Sequence, residues 1–457
     1  MRMPVGSCAI ALLGAGLMLV DIGAGTAAAG EPAKAVLAAE FSVEAFGGDA
    51  VYLADLSGDG KFEALVLQSS GEADESWAGK SGLGVEAADI ALDCLTAVDL
   101  TGKVLWQNGT PWSGNVPFTS HGSTRNMAVA GDVDGDGKTE VVMCRGRKEV
   151  AVLDGATGKV KRSVRRVGLS LYLMRAGDGP ASMHIVYVGA YGRGIMYDGK
   201  DLSVICDPLP ALLPGHNGVI LDVDGDGRDE LLYGYSLVGN DGREIWQVDM
   251  KSAPRHEHAD HIEIYDLSGD GKPEVFYSAS EDFFACDLGG RILWTSHAGH
   301  SQQSLTGPFG PSGEVRILMA EKNRGLWGLD AAGKTLWNRK DINGYTPCRV
   351  RWSRRAGQNT WAVFGPQLKP GGALPRPSDP AKSRTLWPQF IDGDGKLHDV
   401  LPWKEEYAIP QCTIRASRSY DNGQRYGVLA RDLDRDGLDE VVVFNRHRVW
   451  IFRSSEQ

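Results

Sequence analysis

Positive charge is scarce in this sequence. Lys+Arg number 48 against 59 Asp+Glu, a formal net charge of 48 − 59 = −11. A surface of that sign does not bind nucleic acid by bulk charge. Aromatic residues are also few, at 8%, against 59 glycines and 42% hydrophobic residues, the profile of a turn-rich all-β chain. No Cys-x-x-Cys pair and no Cys/His zinc spacing occurs, so a zinc site is not expected. The Gly-x-Ser-x-Gly elbow of one hydrolase class is absent too. Once Cys8 is set aside, six cysteines remain: Cys94, Cys144, Cys206, Cys286, Cys348 and Cys412. They permit fifteen pairings, but most lie in strand-like runs such as Val142-Met143-Cys144, where isolated buried thiols are as well accommodated as bridges.

The N-terminus has the long apolar run. Arg2 precedes an uncharged stretch from Met3 to Val20, and small residues end at Ala27-Ala28-Ala29. This reads as a signal peptide over 1–29, since the run is borderline for a membrane span. The mature chain, 30–457, is expected to be secreted or periplasmic, without membrane attachment after cleavage, and monomeric.

What the sequence has in abundance is one loop. Asp132-Val-Asp134-Gly-Asp136-Gly-Lys-Thr-Glu140 recurs as Asp222-Val-Asp224-Gly-Asp226-Gly-Arg-Asp-Glu230 and Asp432-Leu-Asp434-Arg-Asp436-Gly-Leu-Asp-Glu440. Two copies carry serine at the third position: Asp55, Ser57, Asp59, Glu63 and Asp266, Ser268, Asp270, Glu274. Oxygen ligands at positions 1, 3 and 5, a glycine at 6 and a carboxylate at 9 make a compact hard-cation site, for which Ca²⁺ is the natural occupant. The EF-hand places its last carboxylate at 12 between helices. Here Val141-Val142 or Val441-Val442-Val443 follows at once, so the setting is strand, loop, strand. A bare turn has no need of four mutually repelling carboxylates.

The loops mark a repeat. Asp222 and Asp266 are 266 − 222 = 44 residues apart, and Asp132 precedes Asp222 by 222 − 132 = 90, two such units. Leu171–Met174 and His184–Val188 supply a unit whose ligands are lost, and 303–319 and 349–364 supply two more. Units close with a turn and a strand ending in tryptophan: Asp99 to Trp106, Asp241 to Trp246, Asp287 to Trp294, Asp330 to Trp337. Four antiparallel strands per repeat is a propeller blade. Units centred near Glu63, Glu140, His184, Glu230, Glu274, Glu314, Thr360 and Glu440 give an eight-bladed β-propeller, with seven or nine blades as alternatives. Phe390 to Gly395 would head a ninth unit; the reading preferred is that 366–415, beginning with the Pro-rich insertion 366–388, elaborates the seventh blade. The last blade is expected to take its outer strand from Ala39 to Phe46, closing the ring.

Blade geometry sorts residues by face. Cation loops share one face; the opposite face collects His121, Arg125, His216, Asn217, His256, His258, Asp260, His261, His297, His300, Arg147, Tyr191 and Arg193. A metal-free axial funnel rich in histidine and arginine suits an anionic, hydroxyl-rich ligand.

From Asp55 to Trp337 the chain resembles the rhamnogalacturonan lyases of polysaccharide lyase family 11. The carriers are the aspartate loops, the long insertion before Ala91 to Trp106, the run His121 to Asp136 into a cation loop, and His216 to Ile245, where His-Asn-Gly-Val leads into the Asp222 loop. The family's eight-bladed propeller and calcium use agree with the repeat. Its N-terminal β domain has no room here, so the propeller is expected to stand without it. The resemblance implies β-elimination at a uronic acid in an acidic polysaccharide. By predicted face and chemistry, not by match to the family, Arg125, Arg147 or Arg193 would then neutralise the carboxylate, His216 or His261 act as base, and His121 or Tyr191 protonate the leaving oxygen. A non-catalytic calcium propeller binding glycan or protein is the alternative. A quinone-dependent dehydrogenase is disfavoured, because that class often carries adjacent cysteines and this chain has none.

Overall fold

A computed structural model describes residues 32–47, 50–70, 91–111, 127–145, 149–165, 170–177, 183–188, 194–210, 215–249, 258–297, 299–321, 325–354, 360–367, 384, 387–408 and 426–457. Eight four-stranded antiparallel blades form a ring, an eight-bladed β-propeller. Their first strands are Ala50–Ala54, Ala128–Gly131, Ser170–Arg175, Gly218–Leu221, Ala259–Tyr265, Ser301–Gly307, Asn343–Arg351 and Gly427–Arg431, for blades 1 to 8. These pack against one another around the axis. Blades 1 and 2 also touch through a single parallel pairing, Leu92 with Arg145.

Second and third strands are buried on both faces, because each blade is sandwiched between two others; Glu140–Arg145 and Glu149–Asp154 of blade 2 are typical. Fourth strands alternate instead. In Val104–Gly109 the aliphatic Leu105 is exposed and Trp106 is buried. That tryptophan does a specific job. Its Nε1 donates to Gly155 O of the next blade at 2.7 Å, and Trp246 and Trp337 do the same to Leu288 O and Gly393 O. The ring then lies on the glycine of the neighbour's turn. At Gly158 (φ +66°) a Cβ would stand 2.4 Å from Trp106, and at Gly333 (φ +76°) 2.4 Å from Trp294.

The same joint settles Phe390 to Gly395. Gly395 N donates to Asp392 O and Asp392 N to Lys396 O, as Gly333 and Asp330 do in blade 6. Gln389–Ile391 and Leu397–His398 are therefore the third and fourth strands of blade 7, where the sequence suggested only elaboration. Trp387 and Tyr407 flank them and pack on Trp450 of blade 8 at centroid distances of 5.5 and 5.1 Å.

Blade 8 is closed by Ala35–Ser42, which pairs antiparallel with Arg448–Ser454. The closing strand lies four residues earlier than Ala39 to Phe46. It stops at Ser42 because Val43 N bonds His447 O, after which Phe46 N turns back to Val43 O. Among the described residues Cys94, Cys144, Cys206, Cys286 and Cys348 are free thiols, and no helix is long and apolar enough to cross a membrane.

Candidate functional site

The five aspartate loops share one hydrogen-bond plan. The position-9 glutamate accepts from the position-2 N–H at 2.7 to 3.0 Å: Glu63 from Leu56, Glu140 from Val133, Glu230 from Val223, Glu274 from Leu267, Glu440 from Leu433. The position-1 aspartate accepts from the position-6 glycine, as Asp222 does from Gly227. Such bonds occupy some carboxylate oxygens on the backbone and turn the others inward. Asp134 Oδ1 and Asp432 Oδ1 are buried with no hydrogen-bond donor. Ligand atoms of Asp132, Asp134 and Asp136, of Asp222, Asp224 and Glu230, and of Asp432, Asp434 and Glu440 lie within 4.8 Å of one another.

Burial pushes the position-9 carboxyls up, and Glu230, repelled as well by Asp224, Asp222 and Asp226, is raised to about 7. A hard divalent ion relieves that repulsion, so the all-oxygen donor set fits calcium. Blade 2 is the exception in kind. Lys161 Nζ lies 2.7 Å from Asp134 and 2.8 Å from Glu140, so this loop has an ammonium of its own against its carboxylates. Where blades 3 and 7 have no cation loop, arginine bridges to the next one: Arg175 Nη2 to Asp229 at 2.6 Å, and Arg351 Nη2 to Asp439 at 2.8 Å.

The opposite face holds a second constellation. His216 precedes the first strand of blade 4, His258 and Asp260 open that of blade 5, and His300 and Gln302 that of blade 6. Asp260 is the centre. His216 Nε2 is 3.7 Å from its Oδ1, His258 Nε2 and His300 Nε2 are 3.4 and 3.1 Å from its Oδ2, and Gln302 Nε2 donates to Oδ1 at 3.0 Å. Asp260 and Gln302 reach this point because each is the extra residue of a β-bulge, between Ala259 and His261 and between Ser301 and Gln303. Bulges re-aim side chains in this way. Ser280 Oγ lies 2.9 Å from His258 Nδ1 and so directs the other ring nitrogen at Asp260.

Burial alone would raise the Asp260 carboxyl; His258, His300 and His216 outweigh it and hold the group at about 2. A fixed anion facing three imidazoles can attract protons to them, making an anion receptor. It can equally complete a metal site with neutral imidazoles, and donor atoms of His216, His258 and Asp260 lie within 4.8 Å of one another. The funnel was expected to be metal-free; this donor geometry admits a metal as well. A nitrogen-rich set suits zinc, manganese or iron better than calcium, which prefers oxygen throughout.

Of the residues singled out by sequence, His216 is in this cluster. His261 is not: it is the residue next after the bulge, its Nδ1 faces Ser304 N at 3.4 Å, and burial pulls it down to about 4. His121, Arg125, Tyr191 and Arg193 lie outside the described residues. His258, Asp260 and His300 were placed on this face by sequence but given no catalytic role, and Gln302 was not singled out, yet a signal exists. The histidines recur at 258 − 216 = 42 and 300 − 258 = 42, one per blade.

An all-β propeller with calcium-type loops on one face and a His/Asp cluster on the other is the class that fold and site define. The chain is 26% identical over 423 residues to the rhamnogalacturonan endolyase YesW of Bacillus subtilis (strain 168), covering 85% of this chain and 64% of YesW. It is 24% identical to the exolyase YesX of the same organism, covering 61% of this chain and 52% of YesX. It thus spans less than two thirds of the length of either relative. The solved structure of exotype rhamnogalacturonan lyase YesX superposes with a TM-score of 0.60 at 15% identity, over 94% of this chain and 76% of that one. A family model described as outer membrane protein assembly factor BamB matches residues 229–394. That segment contains the turns at Gly242, Gly290, Gly333 and Gly395 with Trp246, Trp294 and Trp337, the joint that holds blades together. The similarity to rhamnogalacturonan lyases named from the sequence is therefore found in the sequence comparison, and the fold agrees with it.

Proposed function

We propose that the protein is a secreted polysaccharide lyase that cleaves a rhamnogalacturonan-like uronate polymer by β-elimination, with calcium in its aspartate loops. The observation that carries this reading is the Asp260 cluster, set across three blades on the face opposite those loops, in a chain similar to rhamnogalacturonan lyases. A uronate's α-proton becomes acidic only when the neighbouring carboxylate is neutralised. His216, His258 and His300, protonated or sharing a divalent ion with Asp260, supply that positive charge. Export rests on the segment 1–29.

The test is ultraviolet absorbance of the unsaturated uronate product, with purified protein and calcium offered rhamnogalacturonan, homogalacturonan and ulvan. One polymer should give a rise, and Asp260→Asn should lower kcat/KM by about 100-fold or more, the usual cost of losing a charge-stabilising group. A protein that binds one polymer and cleaves none would instead be a glycan-binding propeller, the second reading.

A further inference from the structure

We propose that His297 is the proton-transfer group of this face, held in its working tautomer by Asp282 and acting beside the Asp260 cluster; the proposal rests on the lyase reading above. His297 Nδ1 lies 2.8 Å from Asp282 Oδ1, and the two side chains are opposites in exposure, 77% for the histidine and 6% for the aspartate. A surface histidine ordinarily leaves both nitrogens to water. Here one nitrogen is bound to a buried carboxylate. Nδ1 therefore carries the hydrogen, and Nε2 presents its lone pair outward.

The dyad is built into the same support as the cluster. Residues 280–282 join the second and third strands of blade 5. Ser280 of this loop orients His258, Asp282 orients His297, and Asp282 O accepts from Ser301 Oγ at 2.9 Å, beside His300. One short loop thus fixes an imidazole turned inward on Asp260 and another turned out to solvent. The other described histidines of blades 4 to 6 are committed elsewhere: His216, His258 and His300 to Asp260, His261 to Ser304.

In β-elimination His297 Nε2 would take the proton from C5 of the uronate. The electron pair of that C–H bond becomes the C4=C5 double bond, the C4–O4 bond breaks, and the leaving oxygen takes a proton from solvent water, after which the imidazolium returns its own proton to solvent. Asp282 stabilises the imidazolium formed, as a buried aspartate does for a catalytic histidine.

The experiment compares full-length wild type with His297→Ala, His297→Gln and Asp282→Asn on the polymer that wild type cleaves. Removing a general base should lower kcat by about 10²- to 10⁴-fold, with KM and melting temperature near wild type. Added imidazole should restore part of the His297→Ala activity. Nitrogen-15 spectra of the imidazole should show the Nδ1-protonated form in wild type and a mixture in Asp282→Asn. An active wild type whose His297→Ala variant keeps its kcat overturns the proposal, as does a wild-type tautomer mixture. A wild type inactive on every uronate polymer overturns the lyase reading, and this inference with it.

Discussion

Glu263 stands on the first strand of blade 5 with only 3% of its surface exposed, and it is held by two neighbouring blades. Thr306 of blade 6 donates its N–H and hydroxyl to the carboxylate at 2.7 and 2.9 Å, and Arg349 of blade 7 lies 3.3 Å away while also bonding Thr306 O. Burial still raises the carboxyl above its ordinary range, with Arg349 and Thr306 pulling it back. Removing one partner of a buried pair strands the other charge. Arg349→Met should therefore cost about 3–5 kcal/mol in urea unfolding at neutral pH, and a second change, Glu263→Gln, should recover most of it. The sign with pH follows from linkage. A carboxyl whose pKa is raised by folding binds more protons folded than unfolded, so its contribution falls as pH rises above the ordinary carboxylate range. That fall should be steeper in Arg349→Met; a loss independent of pH would show that Arg349 acts by packing alone. Residue identity at the aspartate loops was readable directly, because all their ligands lie within nine residues. Glu263, Thr306 and Arg349 are 43 residues apart at each step, 306 − 263 and 349 − 306, and nothing local joins them.

At the scale of elements, the tryptophan of the fourth strand in blades 1, 4, 5 and 6 and the glycine of the next blade's turn form one joint. The sequence shows both halves as a repeated signature but not that they belong to different blades. Gly333 has a positive φ and a ring at 2.4 Å, whereas Gly313 has a positive φ of 83° and nothing within 4 Å. Alanine at Gly313 should cost about 1 kcal/mol, the backbone effect alone. Alanine at Gly333 must also displace Trp294 and should cost roughly 2–4 kcal/mol. Chemical denaturation of the two variants separates these contributions; equal losses would mean that the ring gives way freely. Bulges are the opposite case. Nothing in Ala259-Asp260-His261 announces an extra residue, because its cause is pairing with a partner strand. Alternation alone therefore gave no means of telling that Asp260, and not His261, turns toward His258 and His300.

The whole molecule is a ring held by its two ends and by its loops. Ala35–Ser42 pairs with the C-terminal strand, so blade 8 exists only when both ends of the propeller meet. Ions held in the aspartate loops only by the folded state would add to that closure by mass action, about 2.7 kcal/mol for a site at one hundred times its Kd. Chelation should therefore lower the melting temperature in calorimetry, and calcium should restore it better than magnesium. Unchanged melting together with no metal on elemental analysis would show that the loops are not cation sites.

By itself the sequence determined the architecture, the eight repeats and the grouping of carboxylates in each aspartate loop, since these depend on strand alternation and on residues close along the chain. Only the tertiary structure decided which blade Phe390 to Gly395 completes, where the closing strand begins, and that His216, His258, His300 and Gln302 converge on Asp260. Those features arise from pairing and packing between segments tens to hundreds of residues apart, where the position of each side chain is set by the partner strand and the neighbouring blade.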